Sequence, residues 1–157
     1  MNLAQVRSSR MRRNLLKGAG LLAMGHWFRA NAATVDVNDI PELAQFLAGR
    51  KPRWERVHLE LPQLADNGQV VPMKITVDGP FAPAPEVRSI RLYSEKNPVP
   101  LIANFEFPVA VPRIDVESRV RLAGTQRLVA LVTMSDGALL AGTTEVVVTA
   151  AACLDGT

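Results

Sequence analysis

The sequence has very few of the residue types that bind metal ions or attack substrates. Its 157 residues include one cysteine, Cys153, and two histidines, His26 and His58. Transition-metal sites take several His, Cys or carboxylate ligands, and no such group stands out. A glycine-rich phosphate loop after a strand and a Gly-x-Ser-x-Gly motif are also missing. We therefore expect no metal, no cofactor and no catalytic residue, and the composition argues against an enzyme.

Acidic residues are missing from the first 32 positions. That segment carries six basic residues: Arg7, Arg10, Arg12, Arg13, Lys17 and Arg29. The remaining chain has twelve basic and fifteen acidic residues, so its own formal charge is −3. The overall charge of +3 therefore comes from the N-terminal segment. Because nucleic-acid-binding domains present a basic face, we expect no nucleic-acid partner.

The sequence also lacks an apolar run of about 20 residues, the length that a membrane-spanning helix needs. A basic region ends in Arg12 and Arg13, a weakly apolar stretch covers residues 18–28, and Ala30-Asn31-Ala32 is a small-x-small site. This order is typical of an export signal, and the paired arginines favour the twin-arginine route. We predict a cleaved signal peptide over residues 1–32 and a periplasmic protein that is not membrane-bound after cleavage. The alternatives are a basic amphipathic helix or a membrane anchor.

From residue 57 onward the hydrophobic pattern has a period of two, which is typical of strands with one buried face. Turn-forming Asp, Asn, Gly and Pro residues separate the alternating stretches. The pattern predicts about seven strands, near residues 57–61, 71–77, 87–93, 103–107, 114–122, 128–134 and 143–149. The length suits one domain, and short strands with regular turn signals favour an all-β, immunoglobulin-like β-sandwich.

Two residue patterns predict irregular strands. Pro72 lies inside an alternating stretch, and proline has no N–H for a ladder hydrogen bond, so it predicts an edge position or a bulge. The apolar residues Val87, Ile90 and Leu92 are out of phase with one another. A bulge near Arg88-Ser89 would restore their common face.

One short amphipathic helix precedes the strands. We predict it over Pro41–Ala48, with Asp39 as its cap and Gly49 after its end. Its apolar residues fall at helical spacing: Leu43, Phe46 and Leu47. The helix packs either on its own domain or on a partner, and its own domain is the simpler interpretation.

Trp54 and the basic cluster Arg50–Arg56 lie between this helix and the first strand. Tryptophan and arginine are enriched at binding hot spots, so one interpretation is an interface. The other is a wedge between the helix and the sandwich. The sequence thus divides into a signal peptide (1–32), an N-terminal segment with the helix (33–56), a β-sandwich (57–149) and a C-terminal arm (150–157).

The other titratable groups do not converge in the sequence pattern. His58 lies on the polar phase of the first strand. Asp115 and Glu117 share the outward phase of a later strand with Arg119 and Arg121. Each is most simply a solvated surface residue.

Cys153 is the one reactive group that this pattern leaves unexplained. It follows the last strand and three alanines, 150–152, and four residues follow it. In an oxidising compartment it has no partner within the chain, so it is a free reactive thiol or pairs with another chain. Its position beyond the last strand disfavours burial. Small neighbours would let a thiol on an arm enter a narrow channel of a partner enzyme.

Several motifs, followed by a near-terminal cysteine, resemble the SoxY family, the sulfur-carrier subunits of the bacterial thiosulfate-oxidising Sox system. Each motif alone is a weak turn or strand signal, but their order and spacing are fairly specific. They are Asp66-Asn67-Gly68 with Val71-Pro72, Val77-Asp78-Gly79-Pro80, Asn97-Pro98, Phe105-x-Phe107, Arg121-Leu122 with Thr125-Gln126, Met134-Ser135-Asp136-Gly137 and Glu145–Thr149. The twin-arginine leader also fits.

This resemblance implies an immunoglobulin-like sandwich that forms a heterodimer with a SoxZ-like subunit. It implies that Cys153 holds sulfur intermediates covalently. Other Sox enzymes would conjugate, hydrolyse and oxidise that adduct during thiosulfate oxidation. The chain itself would then be a carrier on which enzymes act.

The C-terminal arm departs from the family pattern, in which the chain typically ends Gly-Gly-Cys-Gly-Gly. Here Ala151 and Ala152 precede the cysteine, Leu154 and Asp155 follow it, and Gly156-Thr157 are extra. These residues have less backbone freedom and a larger cross-section than glycine. Asp155 also places a negative charge near a thiolate. The alternative function is therefore a β-sandwich binding or disulfide-dimerising module that has lost carrier chemistry.

Overall fold

The computed structural model describes residues 36–81 and 85–151. In these ranges a 3-10 turn (Val37–Asp39) and one helix, α1 (Pro41–Leu47), precede the strands. The strands are β1 (Val57–Glu60), β2 (Leu64–Ala65), β3 (Val71–Val77), β4 (Val87–Ser94), β5 (Leu101–Glu106), β6 (Ile114–Val120), β7 (Gln126–Met134) and β8 (Leu139–Val148). They form the predicted all-β, immunoglobulin-like sandwich with one short helix.

The strands form two sheets of different size. The smaller sheet has the order β1-β3-β6 and is antiparallel. The larger sheet has the order β2-β8-β7-β4-β5, and its β2–β8 pair is parallel. Alternate side chains from both sheets meet between them and form the main core, in which Ile75, Leu92 and Leu128 are fully buried.

Helix α1 covers the outer face of the larger sheet. Its apolar residues join a second hydrophobic cluster with side chains from β4, β7 and β8: Ile40, Leu43, Leu47, Tyr93, Val129, Leu131, Leu139 and Ala141. The Arg91 guanidinium carbon lies 4.0 Å from the centroid of the Phe46 ring, which adds a cation–π contact between sheet and helix. The helix therefore packs on its own domain, and this part of the prediction is confirmed.

The predicted cap of α1 is wrong. Asp39 belongs to the 3-10 turn, and the capping side chain is Asp36, whose Oδ1 accepts a hydrogen bond from the Asn38 N–H at 2.9 Å. Asp36 therefore caps the 3-10 turn, and α1 has no side-chain cap of its own. The helix ends at Leu47, one residue earlier than predicted, because Ala48 adopts a left-handed conformation (φ 47°).

The irregular strands follow the predictions only in part. The bulge in β4 is confirmed, since the register with β7 shifts between Val87 and Ser89. No bulge is found at Pro72, because β3, which lies between β1 and β6, pairs with β6 without a shift. However, β1 pairs only with residues 74–77 of β3. Pro72 lies beyond that pairing, so on this flank no strand needs its missing N–H.

Two strands show where the period-two pattern fails. β2 has only two residues and is too short to produce an alternation. β8 begins at Leu139, four residues before the predicted start at Thr143. The prediction missed these four residues because all of them are buried. Residues of this part contact the helix on one face and the main core on the other. The alternation on which the prediction depended is therefore missing there.

Gly142 in β8 lies against the first residue of β1. A Cβ added at Gly142 would lie 2.3 Å from the Val57 carbonyl oxygen and 2.9 Å from its carbonyl carbon. These are backbone atoms, so no side-chain rotation relieves the contact. A glycine is therefore required where β1 passes β8.

We expect Gly142→Ala to lower the free energy of unfolding by about 1–3 kcal/mol or more, because the added carbon overpacks a closed contact. Urea unfolding followed by circular dichroism measures this change. Gly79→Ala is the control, since its added carbon would have Phe81 N at 3.6 Å as its nearest neighbour. Equal unfolding midpoints for the two variants would contradict the expectation.

Candidate functional site

Strand β8 leads toward Cys153, and its last residues are held by the segment around β2. Thr149 N–H donates to the Ala65 carbonyl at 3.0 Å, and Thr149 Oγ1 donates to the Asp66 carbonyl at 2.8 Å. The Gly68 N–H donates to the Ala150 carbonyl at 2.7 Å. We call Thr149–Ala150 the arm root, because it is fixed to the domain three residues before Cys153.

Three loops surround the arm root. We call this end of the sandwich the arm end; it consists of residues 61–70, 95–100 and 121–125 and the end of β8. Gly68 joins two of these segments, because its N–H binds the arm root and its carbonyl accepts from the Leu122 N–H at 2.8 Å. The arm root is therefore coupled to the loop that follows β6.

Asn97 holds the next two segments together. Its Nδ2 donates to the Arg121 carbonyl at 2.8 Å. Its Oδ1 accepts from the Ala123 N–H at 2.9 Å and from Gln126 Nε2 at 3.1 Å. A single side chain therefore links the 95–100 loop to the chain between β6 and β7.

Gln126 extends this network into the interior, where it is 4% exposed. Its Oε1 accepts from the Lys96 N–H at 3.0 Å and from the Ser94 hydroxyl. Because Ser94 is also buried, these groups need each other as hydrogen-bond partners, and a satisfied buried network holds its members in one arrangement. The loops of the arm end are therefore positioned by the core.

Thr125 connects the network back to β8. Its Oγ1 accepts from the Val148 N–H at 3.0 Å. The structure thus brings together motifs that are far apart in the sequence, Asp66-Asn67-Gly68, Asn97-Pro98, Thr125-Gln126 and Glu145–Thr149. The turn composition of each motif predicted a turn, but no local signal predicted that the motifs would meet.

His58 lies toward the opposite end of the sandwich. Its Nε2 is 2.8 Å from Asp78 Oδ2, and both side chains are more than half exposed. The Arg56 Nε donates to the Asp78 carbonyl at 2.9 Å, which helps to hold Arg56 at its positive φ of 64°. The prediction that His58 is a surface residue is confirmed, and it does not meet the arm end.

Asp115 and Glu117 lie on the outer face of the smaller sheet. Lys74 Nζ bridges them, at 3.0 Å from Asp115 and 2.9 Å from Glu117. Hydrogen bonding by Lys74 holds the pKa of Asp115 below its usual range, and the same carboxylates, Glu117 first, raise the pKa of Lys74. The carboxylates are therefore neutralised by a cation from the adjacent strand, a partner that the sequence pattern did not identify.

Trp54 does not act as a wedge, because it is 44% exposed and belongs to neither hydrophobic cluster. The backbone of Arg53 forms a bridge with β8, in which the Arg53 N–H donates to the Leu139 carbonyl at 2.9 Å. Arg50 Nε donates to the Leu47 carbonyl at 3.2 Å, at the end of α1. Part of the basic cluster therefore fastens the helix connection to the larger sheet.

Over the described ranges, no group of three or more His, Cys, Asp or Glu side chains is arranged to hold a metal ion. The helix found there is too short and too polar to cross a membrane. The predicted attachment site, Cys153, and the signal residues Arg12, Arg13, Ala30 and Ala32 lie outside the described residues. For these residues the predictions stay predictions.

Solved structures with similar folds include superoxide reductases. The superoxide reductase (neelaredoxin) from Ignicoccus hospitalis is 21% identical, with a TM-score of 0.50, and the match covers 73% of this chain and 98% of that one. A candidate superoxide reductase from Thermotoga maritima is 18% identical, with a TM-score of 0.51, and the match covers 60% and 87% of the two chains. At this identity the likeness describes the fold alone.

No curated protein matches the chain. The family model described as "Sulfur oxidation protein SoxY" matches residues 43–153. This match begins within α1, includes all eight strands described above and the arm root, and ends at Cys153. It covers more than two thirds of the sequence, so the chain belongs to the SoxY family.

Proposed function

We propose that this protein is a periplasmic carrier that holds sulfur intermediates covalently on Cys153 during thiosulfate oxidation. Membership of the SoxY family gives it a general role as a sulfur carrier of the Sox system. The observation that supports Cys153 most strongly is that the family match ends at this residue, three positions after a root that is hydrogen-bonded to the domain. The sequence offers no second thiol for the role.

Attachment of thiosulfate to Cys153 is an oxidation. The Cys153 thiolate and the outer sulfur of thiosulfate form an S–S bond, and two electrons pass to an electron-accepting redox protein of the system. Hydrolysis of the bond to the sulfonate group then consumes one water. It releases sulfate and a proton and leaves a persulfide on Cys153. In this scheme an enzyme catalyses each step, and the protein is the carrier on which it acts.

The proposed partners follow from this division of roles. A SoxZ-like subunit forms a heterodimer with the sandwich, and Sox enzymes act in turn on the arm. The thiolate is the reactive form of cysteine, so a partner that favours it accelerates attachment. The signal segment, with Arg12 and Arg13, directs export by the twin-arginine route, with cleavage after Ala32.

We expect protein from thiosulfate-grown cells to carry a sulfur adduct on Cys153 that a thiol reductant removes. Intact-mass measurement should show the adduct in the parent protein and none in Cys153→Ser, whose strain loses thiosulfate oxidation. Ala152→Ser is the matched control, because it adds a hydroxyl beside the cysteine and keeps the thiol.

Two results would overturn the carrier function. One is a Cys153→Ser strain that oxidises thiosulfate as fast as its parent. The other is a parent protein that never carries a reducible adduct under any growth condition. A disulfide-linked dimer on non-reducing gels, abolished by Cys153→Ser, would then support the dimerising module.

We expect the double variant Arg12→Lys and Arg13→Lys to reduce the periplasmic fraction of the protein to about a tenth or less, because export receptors read the arginine pair. Lysine keeps the charge but not the planar guanidinium, so the variant separates recognition from charge. Immunoblots of cell fractions measure the distribution, and the exported form should begin at Ala33. Undiminished export, equal to that of an Arg7→Lys and Arg10→Lys control, would exclude the twin-arginine route.

A further inference from the structure

Exposed large apolar side chains are concentrated at the arm end. Across the described ranges, the large apolar residues that are strongly exposed are Trp54, Leu64, Val70, Val99, Val109 and Val147. Single exposed apolar residues are ordinary on protein surfaces. Here, however, four of the six share one end of the sandwich. We call Leu64, Val70, Val99 and Val147, which are 49–67% exposed, the apolar rim.

The apolar rim belongs to separate segments that the hydrogen bonds of the arm end hold together. Leu64 in β2 pairs directly with Val147 in β8. Val70 follows Gly68, which binds the arm root, by two residues. Val99 follows Asn97 by two residues, and Asn97 binds the chain at Arg121. The rim residues therefore lie in segments at the end of the sandwich where the chain leaves the domain toward Cys153.

The length of the arm limits how far an enzyme can stay from this surface. Ala150 is hydrogen-bonded to Gly68, and only three peptide units separate Ala150 from Cys153. Consecutive Cα atoms are about 3.8 Å apart, so the Cα atoms of Ala150 and Cys153 can be separated by at most about 11 Å. An active site that receives the sulfur of Cys153 must bring its entrance to within roughly that distance of the arm root. The entrance of that active site then lies at the end of the sandwich that carries the apolar rim.

Two clefts beside the rim offer space for side chains of a partner. Val147 lines a cleft of about 450 Å³ together with Thr125 and Arg127. Val99 lines a second cleft of about 650 Å³ between β5 and β6. Clefts with apolar residues in their lining accept apolar groups of a binding partner.

We propose that the apolar rim is the docking surface for the enzyme that attaches sulfur to Cys153, and that the entrance of this enzyme presents apolar side chains to it. The proposal rests on the carrier function of Cys153. It adds that the folded domain, and not the arm alone, is recognised. Contact with the rim lowers the concentration of carrier that the enzyme needs and does not change the reaction at the sulfur.

The test uses the mature protein in complex with its SoxZ-like subunit, together with the purified thiosulfate-conjugating enzyme of the Sox system. Intact mass measures the rate of adduct formation on Cys153 at increasing carrier concentration. We expect Val99→Ser to raise KM about threefold and Val70→Ser with Val99→Ser about tenfold, with kcat unchanged, because apolar contact is lost only in binding. Both residues lie in loops, so these changes leave the strands intact.

Val109→Ser is the matched control, because Val109 is 68% exposed, against 67% for Val99, and lies in the loop between β5 and β6 at the opposite end. It should leave KM unchanged. Since the contact is apolar, KM of the parent protein should vary by less than about twofold when salt is raised from 50 to 500 mM. Alkylation of Cys153 by iodoacetamide should proceed equally in all variants.

The proposal is overturned if the rim variants and Val109→Ser have the same KM on an enzyme that loads the parent protein. In that case the carrier function stands and the domain surface is not recognised. If the enzyme does not load the parent protein at all, while Cys153 reacts normally with iodoacetamide, the carrier function and the docking surface both fail. The two failures are therefore distinguishable.

Discussion

Burial of β8 on both faces at its start is the constraint on which the rest of the structure depends. Helix α1 covers one face and the smaller sheet covers the other, and Gly142 allows β1 to pass close to the strand. Packing on both faces fixes the direction of β8, and this sets where the chain leaves the domain after the strand. The position of the arm root therefore follows from core packing, and the loops of the arm end only complete it.

The arm end shows how buried polar groups can organise a surface. Asn97 and Gln126 connect residues 94–97 with residues 121–126 through hydrogen bonds, and Gln126 is almost completely buried. Loss of one partner would leave the buried groups of Ser94 and Gln126 unsatisfied, which makes alternative arrangements costly. This network holds the loop that carries Val99 against the chain between β6 and β7.

Prediction from the sequence succeeded where a signal is local. The alternation in β3, the out-of-phase residues at the β4 bulge and the amphipathic spacing in α1 each reflect the period of one element. Prediction failed where the environment on both faces mattered, as at the start of β8, and where an element was too short, as in β2. The cap at Asp39 was wrong because Asp36 offers an equally suitable side chain to a 3-10 turn.

By itself, the sequence determined the all-β class, the approximate strands and the short helix before them, because turn residues and hydrophobic period are local properties. It also carried the SoxY resemblance, which the family match confirms. Only the tertiary structure decided that Gly68 and Thr125 bind the end of β8 and the residues after it, that Asn97 binds the chain next to Thr125, and that exposed apolar residues gather at this end. These contacts join residues tens of positions apart, and they depend on strand order and register, which no local pattern specifies.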